Sequence, residues 1–285
     1  MMGLAVGLGV GLVHLALAVV SGAAPEYVER GYAHVGQARV ETDSVARERL
    51  LSTAIAAFKE AYQAEPPDLP SQVQALLGAA QAYLLVQSPH RVFPFLWQAT
   101  PLQRAEKSLQ QALFLQPDNA AAALLLGMVY WRQAAASEQQ ATRERSTYYL
   151  AQAAALGLPI AVGSASKQPE SPVKLFRVED TIMALRYIDA RGVGRSEALL
   201  FVYQAAANAP LFGVVVVERQ AYPLSTAPST GALASHGLLE SSTILPQPDQ
   251  RPILVLRLRQ DTQVQELRFT WDGTHFVPVS ALLPR

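Results

Sequence analysis

The residue types that most often perform catalysis or bind metals are sparse in this chain and widely spaced. The chain has no cysteine, which excludes disulfides, thiolate metal sites and a lipoprotein anchor. Its histidines show no HExxH or other close ligand spacing; they are His14, His34, His90, His236 and His275. No Gly-x-Ser-x-Gly elbow, phosphate-binding loop or paired acidic motif is present. The sequence therefore predicts a non-catalytic protein without a metal or cofactor.

One segment between two predicted strands has the spacing of a cation-binding turn. Residues 189–197 read Asp-Ala-Arg-Gly-Val-Gly-Arg-Ser-Glu. They resemble the Asp-x-Asn-Gly-Asp-Gly-x-x-Glu turn of FG-GAP and related repeats of extracytoplasmic proteins, in which acidic side chains bind calcium. The matching positions are Asp189, Gly192, Gly194 and Glu197. Arg191 and Val193 stand where oxygen ligands are needed, and calcium requires six to eight oxygens. We therefore expect a degenerate turn that keeps its glycines for backbone shape and binds no calcium.

The N-terminus has the composition of an export segment. Met1 to Ala24 contains no charged side chain, and its apolar stretch runs from residue 4 to 20. Small residues at Ser21 and Ala23 fit signal-peptidase cleavage before Ala24. An uncleaved anchor stays open, because the stretch is near the lower limit of about 17 to 25 residues for a spanning helix. A buried N-terminal helix is the remaining alternative. We expect residues 1–23 to be a signal peptide or membrane anchor, and the rest to be periplasmic, lumenal or anchored facing outward.

A signature of alanine, a larger side chain, alanine and proline occurs twice in the first half of the chain. It comprises Ala54, Phe58, Ala61 and Pro66, and again Ala105, Leu109, Ala112 and Pro117. On a helix its first three positions share one face, where a neighbouring helix can approach at the alanines. The proline then ends the helix. The predicted helices are 27–40, 47–65, 71–86 with Ser71 as N-cap, 102–117, 120–135 and 141–156.

The repeated signature is similar to the second helix of a tetratricopeptide repeat, and Leu126-Gly127 followed by Tyr130 resembles the first helix of the next repeat. Residues 25–160 therefore resemble the tetratricopeptide family. The resemblance implies three stacked helix pairs that bind a protein partner in a concave groove lined by the first helices. By register, the groove residues would be Gln74, Leu77, Gln81, Leu84, Leu124, Met128, Trp131 and Arg132. The alternative is that Met128 and Trp131 pack against the second half of the same chain.

Beyond residue 172 the sequence changes from helical to strand periodicity. Residues 161–172 are the expected linker and residues 173–285 the expected β domain. The predicted strands are 183–189, 198–204, 212–219, 253–259, 264–271 and 275–279, and short connections favour antiparallel pairing. Residues 221–250 are expected to contain a long loop, with 238–245 as its ordered piece. Asp272-Gly273 predicts a type I′ hairpin turn that places Phe269 opposite Phe276.

Charge and composition narrow the classes of function. Lys plus Arg and Asp plus Glu number 23 each, so no net field attracts nucleic acid. The charged fraction of 16% is below the roughly 25% of ordinary domains.

The sequence thus predicts an α+β protein with a tetratricopeptide-like helical domain followed by a mainly antiparallel β domain. The expected function is a non-catalytic scaffold that binds a peptide or folded protein in the helical groove. The alternative is an envelope enzyme or ligand-binding subunit with its pocket in the β domain.

Overall fold

The described part of the chain comprises a helical half followed by a β half. The computed structural model describes residues 23–86, 99–137, 139–161, 174–192, 196–206, 209–225, 232–247, 250–260 and 263–279. Residues 1–22 of the predicted export segment and 162–172 of the predicted linker lie outside these ranges. The helices are α1 (Ala23–Val40), α2 (Ser44–Gln63), α3 (Leu69–Leu85), α4 (Pro101–Leu115), α5 (Ala120–Ser137) and α6 (Gln140–Ala155).

Capping side chains set the starts of three helices. Asp43 caps α2 by accepting hydrogen bonds from backbone N–H groups of the first turn. Thr100 and Gln103 form a capping box at the start of α4. The prediction of Ser71 as the cap of α3 is wrong. Asp68 is the cap, because its carboxylate accepts the Ser71 N–H at 3.1 Å and the helix already begins at Leu69.

The alanines and the larger side chains of both signatures are buried at helix contacts, as their spacing predicts, whereas Pro66 and Pro117 are exposed beyond the helix ends. Phe58 of α2 is inserted between α1 and α3, where both neighbouring helices carry a glycine. A Cβ atom on Gly31 would lie 2.5 Å from the Phe58 ring, and one on Gly78 would lie 2.2 Å from it. Both distances are far below van der Waals contact, so any larger residue at either position would collide with the ring. The glycines therefore form a notch that fixes the position of Phe58 between the helices.

The β half consists of two four-stranded antiparallel sheets in which strand order follows chain order. Sheet 1 contains β1 (Thr181–Ile188), β2 (Ala198–Gln204), β3 (Leu211–Val217) and β4 (Gln220–Leu224). Sheet 2 contains β5 (Leu238–Gln247), β6 (Gln250–Gln260), β7 (Gln263–Trp271) and β8 (Phe276–Pro278). An α+β chain with a helical part before an antiparallel β part is therefore confirmed.

Sheet 1 lies between the helices and sheet 2, and its first three strands are largely buried on both faces. Every residue of β2 is buried, which is why its sequence is apolar from Ala198 to Tyr203 rather than alternating. One face of this strand, including Phe201 and Tyr203, shares a core with α3, α4, α5 and α6. The other face, including Leu200 and Val202, packs on sheet 2. The β half thus fills the space beside the helices instead of standing apart from them.

Strand β4 was not expected, because residues 221–250 were predicted to contain a long loop. It follows β3 through a two-residue turn at Glu218 and Arg219, whose φ angles are 51° and 67°. Positive φ at both turn positions is the requirement of a type I′ hairpin, which usually carries asparagine or glycine. The turn packs on the helical half at Gly157, where a Cβ atom would lie 2.4 Å from the carbonyl oxygen of Arg219. The turn at Glu218 and Arg219 therefore lacks the usual turn residues but contacts the helical half at Gly157.

The prediction that Phe269 lies opposite Phe276 is wrong, although both are buried. The register pairs Phe276 with Trp271, and the two rings are 5.0 Å apart. The turn is centred on Gly273 and Thr274, one residue later than expected, because the Asp272 N–H donates to the His275 carbonyl at 3.0 Å and the Asp272 carboxylate accepts the backbone N–H of His275 at 2.7 Å. This side-chain turn competes with the two-residue turn expected from Asp-Gly.

Candidate binding surface

The groove residues expected from the helical register lie on α3 and α5, and sheet 1 covers most of them. The fully buried ones are Leu77 and Leu124, and the nearly buried ones are Gln74, Gln81 and Met128. Leu77, Leu124 and Met128 belong to the core that the helices share with sheet 1. Leu84, Trp131 and Arg132 retain exposed surface. Most of this helical face therefore contacts the protein's own sheet.

Two glutamines of α3 hydrogen-bond to the outer edge of β1, the first strand of sheet 1. The Gln74 amide donates to the Tyr187 carbonyl at 2.8 Å and accepts the Tyr187 N–H at 3.2 Å. Gln81 donates to the Leu185 carbonyl at 2.7 Å. These backbone groups would otherwise be open to pairing with another strand. Helix α3 therefore occupies the edge position, and polar residues that suggested a peptide groove serve the fold.

Five of the predicted residues line one cleft at the end of the groove that sheet 1 leaves uncovered. We call it the Trp131 cleft. Its walls are the C-terminal ends of α1, α3 and α5 on one side and residues 178–182, which include the start of β1, on the other, and its volume is about 120 Å³. At Trp131, Val178 and Glu179 it continues into a wider depression of about 710 Å³ that α6 also lines. The Trp131 side chain is 37% exposed. The predicted residues in this cleft are Gln81, Leu84, Met128, Trp131 and Arg132.

Positive side chains predominate around the Trp131 cleft and its extension. The charged residues are Arg39, Arg132, Arg143, Arg177, Glu179 and Asp180. Arg132 donates to the Leu84 carbonyl at 2.7 Å, which holds the guanidinium at the end of α3. Although Arg132 retains exposed surface, partial desolvation of its guanidinium lowers the pKa of this group from its usual range. The Asp180 carboxylate accepts the backbone N–H of Arg177 at 2.8 Å, so part of its negative charge is satisfied within the turn. The surface is therefore apolar at its centre and cationic at its margins.

The described residues contain no group of three or more His, Asp or Glu placed to hold a metal ion. His34, His236 and His275 each have a hydrogen-bonding contact with a nearby polar side chain. His14 and His90 lie outside the described ranges. Within the ranges that the structure covers, no helix combines the length and apolar character needed to cross a membrane.

In the 189–197 turn, the guanidinium of Arg191 forms an ion pair with the carboxylate of Glu197, which a calcium ion would need as a ligand. Arg191 donates from Nε to Glu197 at 3.2 Å and from Nη1 to Glu218 at 3.1 Å. These bonds raise the pKa of Arg191, so the group is cationic throughout the physiological range. Gly192 has a φ of 73°, which fits the shape role assigned to the glycines. Residues 193–195 lie outside the described ranges.

We expect calorimetric titration of the full chain with calcium to give no saturable heat at millimolar concentrations. The reason is that Glu197 is already paired with Arg191 and that a nearby guanidinium repels a cation. Titration of Arg191→Ala is the matched measurement, because it frees Glu197 without adding oxygen ligands and should also be silent. Saturable binding that disappears in Asp189→Ala would contradict the prediction.

A second charged cluster was not anticipated from the sequence. It lies where α1, β1 and β5 meet, and its central residues are Arg39 and Arg186. The one feature of the sequence that could have indicated this cluster is Arg186, which is the single charged residue of β1 (Thr-Ile-Met-Ala-Leu-Arg-Tyr-Ile). A buried charge requires partners, but the sequence does not say which.

Comparison of the chain with protein-family models, with curated proteins and with solved structures gives no match.

Proposed function

We propose that this protein is a non-catalytic scaffold that binds a protein partner at the Trp131 cleft. The observation that carries the proposal is the exposed indole of Trp131, beside Leu84 and Met128, at the end of the groove that sheet 1 leaves uncovered. Large aromatic side chains next to a cleft are typical anchors of protein interfaces. We infer that the helical half is a tetratricopeptide-like array, supported by the burial of both alanine signatures and by the glycine notch around Phe58.

The partner best suited to this surface is an extended protein segment with one apolar side chain flanked by carboxylates. The apolar side chain would pack on Trp131, and the carboxylates would pair with the arginines at the margins. Arg143 and Arg177 are both exposed. In the described part of the chain, neither has a carboxylate within ion-pairing distance. Because peripheral charges act mainly on the association rate, binding should weaken as salt rises.

We propose that binding takes place outside the cytoplasm. The support is the sequence of residues 1–23, with its uncharged apolar stretch and its small residues at Ser21 and Ala23. Either cleavage before Ala24 or retention as an anchor is compatible with this proposal. The first would leave a released protein, and the second would hold the cleft close to a membrane.

Site-specific photocrosslinking in the native cells tests the proposed surface. A photoreactive phenylalanine analogue at position 131 should give a discrete adduct with one protein. The matched control carries the same analogue at Phe114, which is 85% exposed on α4 and does not line the cleft. Adding Arg143→Glu and Arg177→Glu to the 131 protein should reduce the adduct at least about tenfold, since charge reversal repels carboxylates. Absence of an adduct at position 131, or the same adducts at both positions, would exclude this surface.

A further inference from the structure

A small cavity lies at the junction of α1, β1 and β5. Arg39 and Gln81 line both this cavity and the Trp131 cleft, whereas Trp131 lines only the cleft. Its volume is about 90 Å³, and its walls include Tyr32, Arg39 and Arg186. Helix α1 approaches β5 closely at Gly36, where a Cβ atom would lie 2.3 Å from the Glu240 carbonyl oxygen. This approach closes one side of the cavity with backbone. The cavity is therefore bounded mainly by α1, β1 and β5, and Gln81 of α3 also lines it.

Arg186 supplies a buried cation to this cavity. Its side chain is 9% exposed and pairs with Glu29 of α1. It also donates to the Ser242 carbonyl of β5 and lies 4.9 Å from the centre of the Tyr32 ring. Its Nε atom is buried and has no hydrogen-bond partner among the described residues. An N–H group left unpaired in a buried position is costly, so this atom is a donor available to a ligand.

Arg39 supplies a second cation whose charge is not balanced. Its guanidinium donates to the Met183 carbonyl and to the Gln81 side chain, both neutral acceptors. No carboxylate of the described residues is within ion-pairing distance of it. Its Nε atom is also buried, and it has no hydrogen-bond partner in the part of the chain that the structure describes. Burial lowers the pKa of Arg39 to about 10, so the group stays charged at neutral pH. The Arg39 residue as a whole is half-buried, and a charge that is largely removed from water is normally paired.

The balance of positive and negative side chains around the cavity indicates the charge that a ligand should carry. Glu29 pairs with Arg186. Glu240, which also lines the cavity, lies within ion-pairing distance of Arg259, although its buried Oε1 atom makes no hydrogen bond of normal geometry among the described residues. The charge of Arg39 therefore remains, and one negative charge would neutralise it. We propose that the cavity binds a small monovalent oxyanion of the carboxylate class between Arg39 and Arg186. Two carboxylate oxygens can accept from two guanidinium groups, as in the charge-assisted pairs that proteins use for carboxylates. A phosphate dianion would bring more negative charge than this site neutralises.

Isothermal titration of the purified full chain with sodium acetate tests the proposal. Sodium chloride keeps the ionic strength constant, and sodium phosphate is titrated in parallel. We expect saturable one-site binding of acetate that weakens at least about tenfold in Arg39→Gln. Arg257→Gln is the matched control, because it removes an exposed arginine of sheet 2 that pairs with Glu266. It should bind acetate as the wild type does.

A second variant keeps the test informative if Arg39→Gln does not fold. Ala33 is an exposed residue that lines the cavity, so Ala33→Phe should block the cavity while leaving both arginines in place. Acetate binding should be lost in this variant. Three outcomes would overturn the proposal: no saturable heat from acetate, as expected if only water occupies the cavity; binding of phosphate in preference to acetate; or acetate binding unchanged in Ala33→Phe. Because no protein partner is present, these outcomes do not depend on the function proposed for the Trp131 cleft.

Discussion

Replacement of Phe58 by alanine should lower the free energy of unfolding by about 3–5 kcal/mol, the range for truncating a buried aromatic side chain. Phe58 is 1% exposed, and its ring contacts the edge of Tyr32 with 5.2 Å between the centroids. The ring fills a notch formed by Gly31 and Gly78, which have no side chains to close the cavity that its removal would leave. Urea unfolding of the full chain measures the loss. Phe114→Ala, at an 85% exposed position of α4, is the control and should change stability by less than about 0.5 kcal/mol.

A substitution in the glycine notch tests whether the Phe58 ring occupies it. In the wild type, Gly78→Ala should cost about 1–3 kcal/mol, because its methyl group would lie 2.2 Å from the ring. In the Phe58→Ala background the same methyl group would enter the vacated space, so its cost should largely disappear. The double-mutant cycle should therefore show a coupling of at least about 1 kcal/mol. Additive effects of the two substitutions would mean that Phe58 does not occupy the notch.

Helical periodicity allowed the helical half to be predicted well, because its contacts are local. The alanine signatures identified the buried face of α2 and α4, and the observed helices lie close to the predicted ranges. Helical periodicity does not predict what covers the opposite face of these helices. A helix face with Gln74, Leu77 and Gln81 suits an open groove and a sheet edge equally well. The discriminating signal was distant, in the uninterrupted apolar run of β2, which requires cover on both faces.

Strand boundaries were hardest to predict where turns lack the usual residues. Glu218 and Arg219 adopt positive φ without glycine or asparagine, so β4 was hidden in a predicted loop. At the last hairpin the Asp-Gly pair predicts a turn, but the hydrogen bonds between Asp272 and His275 shift its centre by one residue. The cluster at Arg39 and Arg186 is a third case. Its ion pair joins Glu29 to Arg186, which are 157 positions apart, and no local pattern specifies such a contact.

Replacement of Phe201 by alanine should destabilise the helical and β halves together, by about 3–5 kcal/mol. Phe201 is fully buried on the face of sheet 1 that packs on the helices. Its ring centre lies 5.2 Å from that of Phe176 and 4.7 Å from that of Tyr203. Because these rings belong to the same core as α3 and α5, loss of packing in the sheet should propagate to the helices. Unfolding of the two halves would then be one cooperative transition.

Hydrogen exchange followed by mass spectrometry separates the two halves in this experiment, because peptides from α5 and from β2 can be monitored in the same sample. If the halves share one core, Phe201→Ala should speed exchange of the slowest amides in both sets of peptides by a similar factor. Val264→Ala, at a 56% exposed position of β7, is the matched control and should leave both sets unchanged. Wild-type exchange in α5 combined with faster exchange in β2 would mean that the halves unfold independently. In that case sheet 1 could leave α3 and α5, and Gln74, Leu77 and Gln81 could again line a groove open to a partner.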